Sequence, residues 1–176
     1  NYTGPTPPEW LGAATSGTSA RITVSWLPST DPDLSYYKVY IGGTPGTYTY
    51  ESSARTATST GVSFSGFTVD ATYYFSIVAF DAAGNRGDYS IESSAVAKTT
   101  PAQSAVMHGA VESSGEPVPS ATLTIQYFGD VITTDSNGEF DFNIYPGHYY
   151  FTASASGYED QGQGTTLPDG VDTEVN

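Results

Sequence analysis

The segment "DATYYFSIVAFDAAGN", residues 70–85, alternates with a period of two, and no stretch of the chain holds a 3.6-residue period for more than a turn or two. A period of two is the geometry of a strand, whose successive side chains face opposite ways. Short alternating runs recur between clusters of Gly, Pro, Ser and Asp, so an all-β fold is expected. Within 70–85 the odd row, Tyr73, Phe75, Ile77 and Ala79, is expected to face a core. The even row, Tyr74, Ser76, Val78 and Phe80, is also largely apolar, which predicts a contact surface on the opposite face. Pairing of the third and sixth strands would set Tyr36, Lys38 and Tyr40 beside it. Tyr36, Tyr40, Tyr74, Val78 and Phe80 are therefore the candidate contact residues, because Tyr and Phe give large contact area at low entropic cost. The candidate partners are the second domain, a neighbouring module or subunit, and a carbohydrate chain.

A chain of 176 residues suits two domains of about 80 to 100 residues each. Cysteine is absent, so each core must be held by burial of Tyr, Phe, Val and Ile alone. Residues 1–101 carry eight acidic and all five basic side chains, whereas residues 102–176 carry eleven acidic ones and no Lys or Arg. Phosphate backbones and anionic lipid surfaces would repel such a second half, which excludes nucleic acid as a partner. No apolar run approaches the roughly 20 residues of a membrane span. No leader is expected at Asn1, and the sequence is expected to be a mature or excised piece of an extracellular protein, secreted or at the cell surface.

Three prolines in "TGPTPP", residues 3–8, predict an extended linker over 1–7 that does not pack. Alternation stops again at "KTTPAQS", which sets a short connector at 101–103 between domains at 8–100 and 104–176. In the first domain, strands are expected near 11–15, 20–27, 35–41, 46–50, 61–65, 71–80 and 90–97. Seven strands separated by turns predict a sandwich. Its core would be filled by Ile22, Val24 and Trp26 against Tyr37, Val39 and Ile41. In "FTVDATYYF", Tyr73 is placed to bury its ring at a corner and return its hydroxyl to a backbone group.

With Trp26 in the second strand, "DPDLSYYKVYIG" entering the third and "FTVDATYYFSIVAFDAAGN" across the corner, residues 8–100 resemble a fibronectin type III domain. That resemblance implies an immunoglobulin-like sandwich used for binding or spacing, with no catalytic residues. Arg86, Gly87 and Asp88 in "NRGDYS" fall between the sixth and seventh strands, where integrin-binding members of the family present this tripeptide. A guanidinium and a carboxylate on a projecting turn would pair with a carboxylate and a metal on a partner. The same segment also reads as an ordinary polar hairpin turn.

The second half offers Met107 and Val111 around Gly109, then the rows Ala121, Leu123, Ile125, Tyr127 and Phe140, Phe142, Ile144, then Tyr149, Phe151, Ala153. Asn137-Gly138 supplies the positive φ of a tight turn. These phrases, above all the run from Asp135 to Tyr158, resemble the carboxypeptidase regulatory-like, transthyretin-like sandwich over 104–176. The resemblance implies an accessory module on a secreted enzyme or surface protein, with "LPDGVDTEVN" supplying the closing strand.

His108 and His148 are the two candidates for a general base near neutral pH, and both are expected to be solvated imidazoles with no nucleophile beside them. No Ser stands in a Gly-x-Ser-x-Gly elbow, so no enzyme and no cofactor is expected. The candidate calcium ligands are Asp31 and Asp33 in one loop and Asp135, Asn137 and Asp141, with Glu139, in another. Asp and Asn also serve turns by bonding their own backbone, which explains both loops without a cation. The expected function is a non-catalytic spacer, stabilising or binding tandem of a multidomain protein, attached to a protease or glycosidase. The alternative is a subunit of an extracellular filament or adhesin that self-associates through the proline-rich start or the aromatic sheet face.

Overall fold

The computed structural model describes residues 3–9, 11–16, 19–99, 105–126, 130–168 and 170–175, and among them there is no helix. The chain divides into two compact units, residues 1–100 and 101–176. Both are built from β-sheets, as the period-two patterning predicts.

In the first unit the strands are β1 (Leu11–Thr15), β2 (Ile22–Trp26), β3 (Leu34–Gly42), β4 (Tyr50–Glu51), β5 (Arg55–Thr56), β6 (Gly61–Phe64), β7 (Thr72–Asp81), β8 (Arg86–Tyr89) and β9 (Ser93–Val96). One sheet pairs β1 with β2 and β2 with β6. The other is centred on β3 and β7, with β4 and β5 along one edge and β8 and β9 along the opposite edge. Between the sheets lie the predicted rows: Ile22, Val24 and Trp26 meet Tyr37, Val39, Ile41, Phe75, Ile77 and Ala79, all buried. Trp26 and Tyr37 touch edge to face at 5.6 Å, and the Tyr37 hydroxyl accepts a hydrogen bond from Ser29 N at 2.8 Å. Burial pushes the Tyr37 phenol above its ordinary pKa. The corner forms as its residues suggest: Thr68 N donates to the Tyr73 hydroxyl at 3.0 Å, and the Phe67 ring lies 4.3 Å from the Tyr73 ring.

Two expectations about strands change. Of the run 46–50 only Tyr50 is in a strand; Thr44 and Thr47 form an isolated bridge around Gly46 at φ 67°, and pairing resumes at β4. The run 90–97 shortens to β9 and a separate strand, β8, precedes it; between them stands Ser90, whose N donates to Ile77 O at 2.9 Å while its Oγ accepts from Ile77 N at 3.0 Å. Ser52 does the same between β4 and β5, exchanging bonds with Val39 at 2.8 and 3.0 Å. A serine that supplies its own hydroxyl as a ladder acceptor keeps the buried backbone satisfied while the regular register breaks.

The proline segment packs, contrary to the expected unpacked linker. Pro5 and Pro8 are buried, Thr6 N donates to Asp31 Oδ2 at 3.2 Å, and the Gly4 and Pro5 backbone lies against Arg86 and Gly87. A fixed φ lowers the entropy lost when such a segment is ordered, so a few contacts suffice to hold it.

In the second unit the strands are β10 (Ala105–Ala110), β11 (Glu112–Ser113), β12 (Glu116–Pro117), β13 (Thr122–Ile125), β14 (Val131–Thr133), β15 (Glu139–Ile144), β16 (Gly147–Ser154), β17 (Gln161–Leu167) and β18 (Asp172–Val175). Within this unit β14, β13, β16 and β17 are neighbours in that order, and β15, β10 and β18 form the facing sheet. The closing strand β18 runs parallel to β10. The core takes Met107, Ala121, Leu123, Ile125, Phe140, Ile144, Tyr149, Phe151 and Leu167, while Phe142 and Ala153 are half-buried and Tyr127 lies outside the described residues. The Tyr149 hydroxyl donates to Tyr145 O at 2.8 Å, and burial drives its pKa strongly upward.

Candidate interaction surfaces

The odd row of β7 faces the core: Phe75, Ile77 and Ala79 have no exposed surface. The even row does not face solvent as expected. Ser76 and Val78 are also fully buried, and Phe80 is 7% exposed. The outer face of this sheet carries its own aromatic cover, contributed by β3, β8 and the loop before β4. Tyr36 stacks on Phe80 at 4.8 Å with planes 3° apart. Tyr89, paired with Val78, meets Tyr40 edge-on at 5.2 Å and Tyr48 at 5.0 Å. Of the proposed contact residues, Val78 and Phe80 are thus excluded from any free surface, while Tyr36, Tyr40 and Tyr74 are half-buried. Tyr89, 44% exposed, is a surface residue that parity on β7 alone could not reveal. A sheet residue is buried by what its neighbours' long side chains reach, not by its own parity.

The charges on this face are matched. Lys38 Nζ donates to Glu51 Oε1 at 2.7 Å, which raises the lysine pKa and lowers that of Glu51. Arg86 lies over the Tyr89 ring at 4.3 Å and the Tyr40 ring at 5.7 Å, a cation–π arrangement that the sheet geometry sets up by placing β8 beside β7. Tyr48 donates to Glu92 Oε2 at 2.8 Å. Burial first, and the Glu92 carboxylate second, push the Tyr48 phenol to about 12. Because the folded pKa lies above the ordinary 10, the stabilisation is complete below pH 10 and is lost as pH rises toward 12. Alkaline titration of tyrosinate absorbance is expected to show a group near 12 that is absent from Tyr48→Phe; a profile identical in both proteins would contradict this site.

Arg86, Gly87 and Asp88 do not sit on a projecting turn. They belong to β8, and the turn before it is closed by Asp81, whose carboxylate accepts from Asn85 N at 2.8 Å and Asn85 Nδ2 at 2.7 Å. Gly87 is buried with Pro5 O beside it, and the Arg86 guanidinium is engaged by two rings. An extended tripeptide points alternate side chains to opposite faces, so Arg86 and Asp88 are presented as strand neighbours and not as a loop tip.

The calcium candidates serve turns. Asp31 accepts from Asp33 N at 3.0 Å through Oδ1 and from Thr6 N through Oδ2. Asp135 Oδ1 accepts from Asn137 N at 2.8 Å and Glu139 N at 2.9 Å, with Gly138 at φ 75°. Asp141 is on β15, paired with His108. Among the described residues no three acidic or imidazole groups converge on a cation site.

His108 is half-exposed with Nε2 3.7 Å from Asp172 Oδ1. His148 departs from the expected solvated state: it is half-buried on β16, its Nδ1 is 2.9 Å from Thr166 Oγ1, and burial pulls its pKa below 6.5. The register places Thr166 directly opposite it.

The fold is that of a tandem of two all-β sandwich modules. The chain belongs to the fibronectin type III family, whose model matches residues 6–96, and residues 106–176 match the carboxypeptidase regulatory-like domain. Domains of these families are non-catalytic modules. Among curated relatives, the chain is 32% identical over 147 residues to exoglucanase B of Cellulomonas fimi, covering 82% of this chain and 12% of that protein. It is 39% identical over 100 residues to chitinase A1 of Niallia circulans, covering 56% of this chain and 13% of that protein. The FN1-FN3 domains of chicken CNTN1 align with 95% of this chain and 68% of theirs at 11% identity and a TM-score of 0.48. The chain thus spans about one eighth of the length of its curated relatives. No helix among the described residues is long and apolar enough to cross a membrane.

Proposed function

We propose that this chain is a non-catalytic accessory tandem of an extracellular multidomain glycoside hydrolase, where it spaces or stabilises the catalytic part. The observation that carries this reading is the 147-residue match to an exoglucanase, which exceeds either unit and therefore takes in residues of both. The second named relative is a chitinase. Two sandwiches with loops closed by Asx turns suit a spacer, since they fix distance without needing a reactive group. A net charge of −14 favours solubility and opposes association between copies, which weighs against the filament alternative.

The reading is tested by deleting both units from the parent enzyme. Turnover on a short soluble oligosaccharide is expected to stay within about twofold, while hydrolysis of insoluble polysaccharide or thermal half-life falls. The isolated chain should release no sugar and keep the mass of a monomer across concentration. Hydrolysis by the isolated chain, or stepwise growth in mass, would overturn the proposal.

A further inference from the structure

The two sheets of the second unit differ in strand number, and the mismatch leaves an opening. Four strands, β14, β13, β16 and β17, face only three, β15, β10 and β18. Leu167 on β17 is buried, but Gln161 and Gln163, which share its parity, are exposed. They line a cleft of about 620 Å³ whose floor is apolar, made by the buried side chains Leu123, Phe140, Phe151 and Val175. Glu112 and Glu159 stand on its rim.

The strand beside the cleft is also unprotected. Among the described residues β17 pairs with β16 alone, so its other edge presents free backbone groups. Glu139 and Asp141 on β15, and Asp172 and Glu174 on β18, place charges on the other sheet's edge strands, and β14 has three residues. The seven residues of β17 carry neither charge nor proline. An uncharged edge of that length is a template for an added strand.

We infer that the β17 edge and the adjoining cleft bind an extended polypeptide segment, apolar at alternate positions and bearing Lys or Arg at its flanks. Pairing with β17 directs alternate side chains of the incoming strand over Gln161 and Gln163 toward the apolar floor. The charge of the occupant follows from the surroundings. Residues 102–176 hold eleven acidic groups and no Lys or Arg, so an acidic segment is repelled and a basic one attracted, with Glu112 and Glu159 nearest. The same charge excludes a second copy of this unit as the occupant. The inference does not depend on the parent being a glycosidase.

The probe is the acetylated and amidated peptide Lys-Val-Thr-Val-Thr-Val-Lys, titrated into the intact chain and followed by amide chemical shifts. Saturable shifts are expected in residues 161–167 and around Phe151 and Val175. Replacing its Lys by Glu, or its Val by Thr, should weaken binding by about tenfold or more. Glu159→Lys, an exposed change that leaves the core intact, should weaken the parent peptide by about tenfold and restore binding of the Glu peptide. Equal binding of the Val and Thr peptides would reduce the effect to non-specific charge attraction and overturn the site. So would shifts that avoid β17, an unaltered affinity in Glu159→Lys, or no saturable shift at all.

Discussion

Trp26→Ala is expected to lower the unfolding temperature of the first unit by roughly 15 to 30 °C while leaving the second unit's transition in place. Trp26 is fully buried between the sheets, beside Tyr37 and within the cluster of Ile22, Val24, Phe75 and Ile77. Truncating a large aromatic in such a site costs about 3–5 kcal/mol through lost transfer energy and the cavity left behind. In a unit of this size each kcal/mol moves the midpoint by about 4–8 °C. Volume and polarity can be separated, because among the described residues the buried Trp26 indole Nε1 has no hydrogen-bond partner. An orphan donor of this kind costs about 1–3 kcal/mol, so Trp26→Phe loses volume but removes that penalty, and it should retain most of the stability. Calorimetry on the intact chain distinguishes the two variants. A first transition unmoved by Trp26→Ala would remove Trp26 from the core and with it the assigned inner face.

Gly109→Ala is expected to detach β18 from the second unit. Gly109 is the fifth of the six residues of β10, opposite Phe140 on one side and Val175 on the other. A Cβ built there would lie 1.8 Å from Val175 O and 3.1 Å from the tip of the Phe140 ring. The first contact is with backbone, which cannot swing aside as a side chain can, so the parallel ladder between β10 and β18 must open. Forced overpacking costs about 1–3 kcal/mol, and loss of a closing strand takes the total toward the upper end or beyond. Amide exchange in Asp172–Val175 should accelerate far more than in β13 or β16, with a lower midpoint for the second unit. Unchanged exchange in β18 would mean that the strands do not approach as closely as described. This glycine is required by proximity and not by its φ, which is why composition and turn chemistry gave no hint of it.

Much of the architecture was legible because it depends on alternation. Trp26, Tyr37, Val39, Phe75 and Ile77 could be assigned to one core from period two alone, and Asp135 to Gly138 could be assigned to a turn from the φ that Gly adopts there. The outer face was misread for a definite reason. Parity says which side of a strand a residue takes, but Val78 and Phe80 are covered by Tyr36, Tyr40, Tyr48 and Tyr89, which lie up to 44 residues away in the chain. The misplaced tripeptide has a local origin instead. Asn85, Gly84 and Asp81 make a compact turn, so the chain re-enters the sheet at Arg86, before the residues that looked like a loop.

Alternation, turn chemistry and charge are local properties, and by themselves they determined an all-β tandem, its core rows and a second unit with eleven acidic groups and no Lys or Arg. Which apolar residues stay exposed, where Ser52 and Ser90 interrupt the ladders, and that four strands face three beside an open β17 are consequences of long-range pairing. They were decided only by the tertiary structure, because burial depends on which distant side chains arrive at a surface and no residue carries that information alone.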